Sequence, residues 1–362
     1  MYNRVSYKGV TIERSLNKPI VIHHLNDLTL GGTEKMVQTN MFFFDRDNTF
    51  EHYLAYKADG DLSREEFFKK ILGERMLPYK GEQHFINIVR DKKPFIIHRY
   101  SAGIPEFPFV KEVKANTEHF VSTSTFGNQD TTIDISKVIY VSKHIQWQAG
   151  QAGKEGHSVI GIPVFSPKSA FPWQEDLREE LGIPADAFVF GRIGRDDENI
   201  YDPINIKAFA QVEEENVFFV LVNPSAKCKS DIESLGIKNA KFIERTTDDK
   251  RISQFYNTID VLAHSRKDGE CSPQNVWEAF SHGKPVISHY GHPFNGHIEV
   301  IQDCGFVVLS GDVDEYARIM KKFIKKEIDY FKISEKCIKN WRDNCIPENI
   351  AKQQLDLYKE LL

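Results

Sequence analysis

With 362 residues, 41% of them hydrophobic and 27% charged, the chain has the balance of a folded globular protein, and about 100–200 residues per domain favours two domains. A formal net charge of −5 argues against broad electrostatic binding of nucleic acid or anionic lipid. No apolar run approaches the roughly eighteen residues of a membrane span, and the start MYNRVSYKGVTIERSLNKPIVIHH lacks the apolar core of a secretory signal, so a cytoplasmic protein is expected. The five cysteines, Cys228, Cys271, Cys304, Cys337 and Cys345, show no metal-ligand spacing and are expected as reduced thiols.

In chain order, PIVIHHL reads as a strand and leads into LNDLTLGGTEKMVQTNMFFF, where Gly31 and Gly32 stand before a helix that Thr33 can cap. Glycines there let backbone approach a ligand, and a helix start offers amide donors to phosphate. Taken alone, however, the pair reads first as a tight turn. The runs HYLAYK, PFIIH, HFVST, KVIYVS and HSVIG follow. His98 closes PFIIH, and Thr123, Ser124, Thr125 and Asn128 close the next run. A boundary is expected at Ile162–Gln174, where Pro163, Pro167 and Pro172 interrupt both periodicities.

Beyond it come AFVFGRI, NVFFVLV, AKFIE, DVLAH, PVISH and GFVVL. Strands alternating with helical stretches imply parallel sheets covered on both faces, hence an α/β protein of two doubly wound halves with ligand at the carboxyl ends of the strands. Arg192 and Arg195 end the first of these strands, where a forked guanidinium suits phosphate oxygens, or salt bridges to Asp196, Asp197 and Glu198. In RKDGECSPQNVWEAFSHGKPVIS, Ser272 suits an N-cap, Pro273 the first helical position and Gly283 the stop. Glu270 then precedes the helix start and Glu278 lies inside, and a ligand along the helix start can meet both, although arbitrary Glu pairs are usually surface residues. The tail is helical and basic, its Lys321, Lys322, Lys325 and Lys326 typical of a solvated helix face and compatible with peripheral membrane contact.

The segment resembles the signature of retaining glycosyltransferases of the GT-B fold, family 4 of the carbohydrate-active enzymes, in Glu270, Glu278, Ala279, Gly283, Pro285, Val286 and Ile287. The resemblance implies two Rossmann-like domains facing a central cleft, placed at 1–165 for the acceptor and 166–345 for the nucleotide sugar, with the helix 346–362 packing back onto the first. It also implies that Glu270 lies beside the donor sugar and Glu278 on the ribose, with Cys271, Ser272, Pro273, Gln274 and Asn275 along the donor and the Gly31-Gly32 loop near its diphosphate. Gly191-Arg192 matches the family's Gly-Arg, but its following Lys is missing, leaving Arg195 or Lys267 as the second cation. His98, Thr125 and Asn128 are the expected acceptor contacts; the family's functional His is not found at Thr123–Thr125.

The implied activity is metal-independent, retaining transfer of a sugar, hexosyl in type, from a nucleotide-diphosphate donor to an unidentified glycan, lipid-linked or small-molecule acceptor, with no cofactor. Alternatives on the same fold are a nucleotide-sugar epimerase, a phosphorylase or a non-catalytic binder. Asp59-Gly60-Asp61 imitates the metal-diphosphate motif of another glycosyltransferase fold but reads as a solvated turn. The Trp147 and Trp277 neighbourhoods lack the basic clusters of a nucleic-acid platform.

Overall fold

The computed structural model describes residues 2–7, 10–15, 18–101, 111–128, 134–151, 153–154, 156–165, 175–246 and 248–362. The chain falls into two compact units, one of Met1–Val141, Gln146–Ile160 and Ala351–Leu362, the other of Ser142–Ile145 and Gly161–Ile350. From residue 166 onward, the proline-rich stretch expected as the boundary lies outside the described residues.

The first unit opens with an antiparallel hairpin, β1 (Tyr2–Tyr7) and β2 (Val10–Ser15). Its main sheet holds β3 (Ile20–Leu25), β4 (Glu51–Lys57), β5 (Met76–Tyr79), β6 (Ile96–Ser101), β7 (His119–Ser124), β8 (Lys137–Tyr140) and β9 (His157–Val159) in the order β5-β4-β3-β6-β7-β8-β9. All these pairings are parallel. The second unit holds β10 (Phe188–Ile193), β11 (Val217–Val222), β12 (Ala240–Ile243), β13 (Val261–Ala263), β14 (Val286–His289) and β15 (Gly305–Val308) in the order β12-β11-β10-β13-β14-β15, again all parallel.

In each sheet the first strand lies inside, the next two extend to one side and the later ones to the other. This is the doubly wound, Rossmann-like order, whose reversal falls between β3 and β6 and between β10 and β13. Ligand sites of such sheets form where the order reverses, at the carboxyl ends of the strands. The segments that follow β3, β10 and β13 are the Gly31-Gly32 loop, the Arg195 loop and the Glu270 loop. The sequence VFFVLV shows why β11 lies inside: a strand covered on both faces is apolar at every position, and all six residues are buried. Phe190, Phe209, Phe219, Leu221, Tyr316 and Met320 fill the core around it, each side chain contributing about 1.5–3 kcal/mol. In the first unit Ile22, Ala55, Phe85, Ile97 and Phe120 do the same.

All twelve apolar runs form strands. The sequence reading missed the hairpin and β5, a four-residue edge strand carrying Pro78, which a ladder tolerates only at an edge. Two helix starts shift by one or two residues. Gly31 caps the helix Gly32–Phe44, so Thr33 lies inside it. Pro273, with extended backbone, occupies the cap of Gln274–Ser281, so Ser272 stands before the cap rather than at it. Among the described residues no helix is long and apolar enough to cross a membrane.

Candidate active site

The strand β10 ends in Gly191-Arg192. A Cβ on Gly191 would collide with Ile259 and Phe255, so the missing side chain lets the helix Asp249–Thr258 close directly onto the strand. Arg192 is 5% exposed, and no carboxylate among the described residues lies within ion-pair distance. Its Nε has no hydrogen-bond partner, and its guanidinium lies 5.8 Å from the centre of the Tyr201 ring. Burial lowers its pKa, Cys228 and Tyr201 oppose that, and the nearby Arg266 cation adds to it. An unpaired buried cation costs several kcal/mol, a cost that a bound anion would offset.

Arg195, three residues on, is exposed and forms no ion pair among the described residues. The expected salt bridges to the acids beside it are absent, Asp197 instead accepting the backbone and side-chain N–H groups of Asn199 at 3.0 Å. Lys267 is also exposed; among the described residues only its backbone is tied, its N–H donating to the Ile200 carbonyl at 3.0 Å.

After β13 the chain runs from His264 to Ser272 as a loop clamped to Tyr290–Gly296. His292, Phe294 and Gly296 donate backbone N–H groups to Lys267, Asp268 and Glu270 at 3.1, 3.0 and 2.7 Å. The approach leaves no room for side chains. Gly269 has φ +71°, and a Cβ there would strike the Phe294 carbonyl; one on Gly296 would strike the Cys271 carbonyl. The Cys271 carbonyl also accepts the Ser142 hydroxyl at 2.7 Å, and burial, then Glu270, push its thiol up to about 12.

Glu270 is held in this loop with 16% of its side chain exposed. His264 Nε2 lies 3.5 Å from Oε1, and Arg266 Nη1 donates to Oε2 at 3.3 Å. Arg266 is forked on Asp268 through Nε at 2.6 Å and Nη2 at 2.8 Å. Burial alone would raise the Glu270 carboxyl, but His264, Arg266 and His297 outweigh it and hold it below the ordinary glutamate value.

Pro273 gives the helix Gln274–Ser281 no side-chain cap, so the amides of Gln274 and Asn275 have no partner among the described residues and stay open to a ligand. Asn275 ties this start to the end of β10: Nδ2 donates to the Ile193 carbonyl at 3.3 Å while Oδ1 accepts the Val276 N–H at 2.9 Å. Inside the helix, Glu278 accepts from Gln274 Nε2 at 3.3 Å, and its Oε2 lies 3.0 Å from the hydroxyl of the buried Tyr256. That hydroxyl lies 2.9 Å from the Asn275 carbonyl as well, so one proton serves both ends of the first turn. Trp277 is buried edge-on to Phe280 and belongs to the packing. The helix stops at Gly283, φ +68°.

The residues of the first unit divide differently. Gly31 donates its N–H to Thr29 Oγ1 at 3.1 Å, and a Cβ on it would meet the Glu34 carboxylate, whose pKa burial raises. Asp59-Gly60-Asp61 is more than a solvated turn: the Asp61 carbonyl accepts the Leu28 N–H at 2.7 Å, and Gly60 packs on Asp27, bracing the loop that leads to Gly31. Thr125 is half-buried with its hydroxyl donating to the Ser101 carbonyl at 3.0 Å, while Asn128 is exposed. His98 corrects the expectation of an acceptor contact, because the ring is 0% exposed. Its Nδ1 meets the Tyr358 hydroxyl and its Nε2 lies 2.8 Å from Thr123 Oγ1, so it presents no free atom to a ligand.

The second unit thus brings Arg192, Glu270, Glu278 and the segment Cys271–Asn275 to one strand-end region. Sequence reasoning missed His264, Arg266, Tyr256 and the close-packed Gly269 and Gly296. Arg266 and Gly269 stand within the segment already singled out, but Tyr256 and Gly296 reach it only through tertiary contact. Among the described residues no group of three or more His, Cys, Asp or Glu is arranged to hold a metal.

Residues 174–344 match the model of the family Glycosyl transferases group 1. In structure the chain is similar to a glycosyltransferase from Rickettsia africae, with TM-score 0.73 at 14% identity over 95% of this chain and 99% of that one. It is also similar to Alr3699/HepE of Anabaena in complex with UDP, with TM-score 0.71 at 19% identity over 94% of this chain and 100% of that one. Sucrose-phosphate synthase from Thermosynechococcus elongatus has TM-score 0.70 at 14% identity over 95% of this chain and 99% of that one. No curated protein matches the chain by sequence. The two parallel-sheet units are those of the GT-B glycosyltransferase fold, and the second carries the sequence pattern of the group 1 family.

Proposed function

We propose that the protein is a retaining glycosyltransferase of the family 4 type, hexosyl in specificity, using a nucleotide-diphosphate sugar. The observation that carries this reading is Arg192, a buried cation without an anion, one hydrogen-bonded residue away from the uncapped helix start that separates Glu270 from Glu278. Diphosphate supplies the missing anion, and the open amides of the first turn add donors to its oxygens. The Anabaena neighbour, solved with UDP-glucose, supports a nucleotide-sugar donor.

In this reading the bond between the sugar C1 and the diphosphate oxygen breaks, leaving positive character on the sugar and negative charge on the nucleotide. Arg192, joined by Arg195 or Lys267, Gly31-Gly32 and the amides of Gln274 and Asn275, stabilises the departing diphosphate, so transfer proceeds without a metal or other cofactor. Glu270 lies beside the sugar and stabilises its positive character; Glu278, held from below by the Tyr256 hydroxyl, meets the ribose. An acceptor hydroxyl attacks C1 on the face the phosphate leaves, and its proton passes to the leaving phosphate. Thr125 and Asn128 remain the proposed acceptor contacts.

The test is a panel of UDP-, GDP-, ADP- and dTDP-sugars, following nucleotide release with and without acceptor glycans and lipids. Acceptor-dependent release from one donor, with the anomeric configuration kept in the product, supports the proposal. Tight binding without turnover identifies a binder, and release of an epimer an epimerase; transfer from a sugar 1-phosphate identifies a phosphorylase.

A further inference from the structure

The Glu270 carboxylate meets a different cation-forming group on each oxygen, and both groups are fixed independently of it. Arg266 Nη1 stands on Oε2 at 3.3 Å and His264 Nε2 faces Oε1 at 3.5 Å. Arg266 is locked below by its two bonds to Asp268, and its own N–H donates to His289 Nε2 at 3.2 Å. His289 Nδ1 lies 2.9 Å from the Tyr290 carbonyl, so Nδ1 carries the proton and Nε2 is left free to accept. His264 is fixed as firmly. Its N–H joins the Ile287 carbonyl at 2.9 Å, its own carbonyl accepts the Tyr316 hydroxyl at 3.1 Å, and Nδ1 lies 2.8 Å from Ser288 Oγ. A carboxylate only accepts, so the proton facing Glu270 sits on Nε2, which leaves Nδ1 to accept from the Ser288 hydroxyl.

We infer that His264 and Arg266 are positioning residues that hold the Glu270 carboxylate between them, one on each oxygen, so that it meets its ligand ionised and in a single orientation. The clamp rests on the reading of Glu270 as the group beside the donor sugar, and it adds two residues that contact Glu270 in place of any substrate. The groups facing Glu270 are His264 at the end of β13, Arg266, Asp268 and Cys271 on its own loop, and His297 from the helix Gly296–Ile301. Burial opposes ionisation there, so the carboxylate depends on these neighbours. His264, through its hydrogen bond, comes first among the neighbours that lower the carboxyl, and Arg266, with the shorter contact and a permanent charge, comes next.

The experiment labels glutamate carboxyl carbons with carbon-13, identifies the Glu270 signal by its loss in Glu270→Gln, and follows it through a pH titration of the whole chain. Arg266→Met and His264→Asn each move the midpoint to higher pH, and Arg266→Lys keeps most of the wild-type position. An unchanged midpoint in folded Arg266→Met overturns the inference; if that variant does not fold, an unchanged midpoint in His264→Asn does so. With a donor that the wild type turns over, Arg266→Met lowers kcat about 10–100-fold at nearly constant donor KM, and Arg266→Lys recovers part of the loss. An unchanged kcat would also overturn it. Absence of turnover by the wild type would refute the glycosyltransferase reading, while the titration would still decide the clamp.

Discussion

Each unit buries three clustered histidines, and the two clusters end in different ways. In the first, His23, His52 and His98 close on one another and on the terminal helix: His23 lies 3.0 Å from His52 and from the Tyr100 hydroxyl, and Gln354 Nε2 lies 2.9 Å from both His98 Nδ1 and the Tyr100 hydroxyl. His52 Nε2 and Asn40 Oδ1 are left over, and both lie in the interior. In the second, His264 and His297 face a carboxylate that keeps some exposure, His289 accepts the backbone N–H of the Arg266 that pairs with it, and a buried arginine with no anion among the described residues lies close by. A histidine network that closes on itself fixes a fold, whereas one that converges on a partly open charge is arranged for a ligand.

The contrast is broken most severely at the carboxylate. Glu270→Gln keeps the side-chain shape and removes the charge, and nucleotide-sugar turnover is expected to fall about 100–1,000-fold with the melting temperature nearly unchanged, as steady-state kinetics and calorimetry would check. A loss of stability equal to that of a core mutation would place Glu270 among the structural residues.

Arg192→Met sharpens the comparison because its two effects have opposite signs. Nucleoside diphosphate affinity, read by titration calorimetry, drops about 100-fold, while the free protein melts at the same or a higher temperature, since an unpaired buried charge has been replaced by an apolar side chain. His98→Phe should do the reverse. Leaving Thr123, Gln354 and Tyr358 short of a partner costs about 1–3 kcal/mol in denaturant unfolding, and donor KM stays within about twofold.

The smallest of these effects to isolate is that of pH on the first cluster. Burial pushes His98 down to about 3 and His52 to about 4, from an ordinary 6.5. These rings are neutral in the fold and take up protons on unfolding, so stability is full above about pH 6.5 and is lost as pH falls toward 3–4. Between pH 7 and pH 5, His98 alone removes about 2 kcal/mol. Denaturant curves of wild type and His98→Phe should therefore converge as the pH is lowered.

How far the sequence could be read follows the same division. Strands such as β11 are legible because burial on both faces leaves an unbroken apolar run, and the setting of Glu270 and Glu278 is legible because Pro273 and Gly283 bracket one short helix. The run PFIIH suggests a strand that ends at an accessible His98, whereas β6 continues to Ser101 and Tyr358 and Gln354, more than 250 residues away, cover the ring. The ties between Tyr256 and Glu278 and between Gly296 and the Glu270 carbonyl are likewise invisible, for spacing along a chain carries no record of which loops meet.

The most direct test of the account is the binding of UDP, GDP, ADP and dTDP to the whole chain and to its Arg192→Met variant by titration calorimetry. One nucleotide binding the wild type, and about 100-fold more weakly the variant, is the predicted result. Equal affinity for both proteins, or no binding of any of the four, would contradict the assignment of Arg192 to a diphosphate.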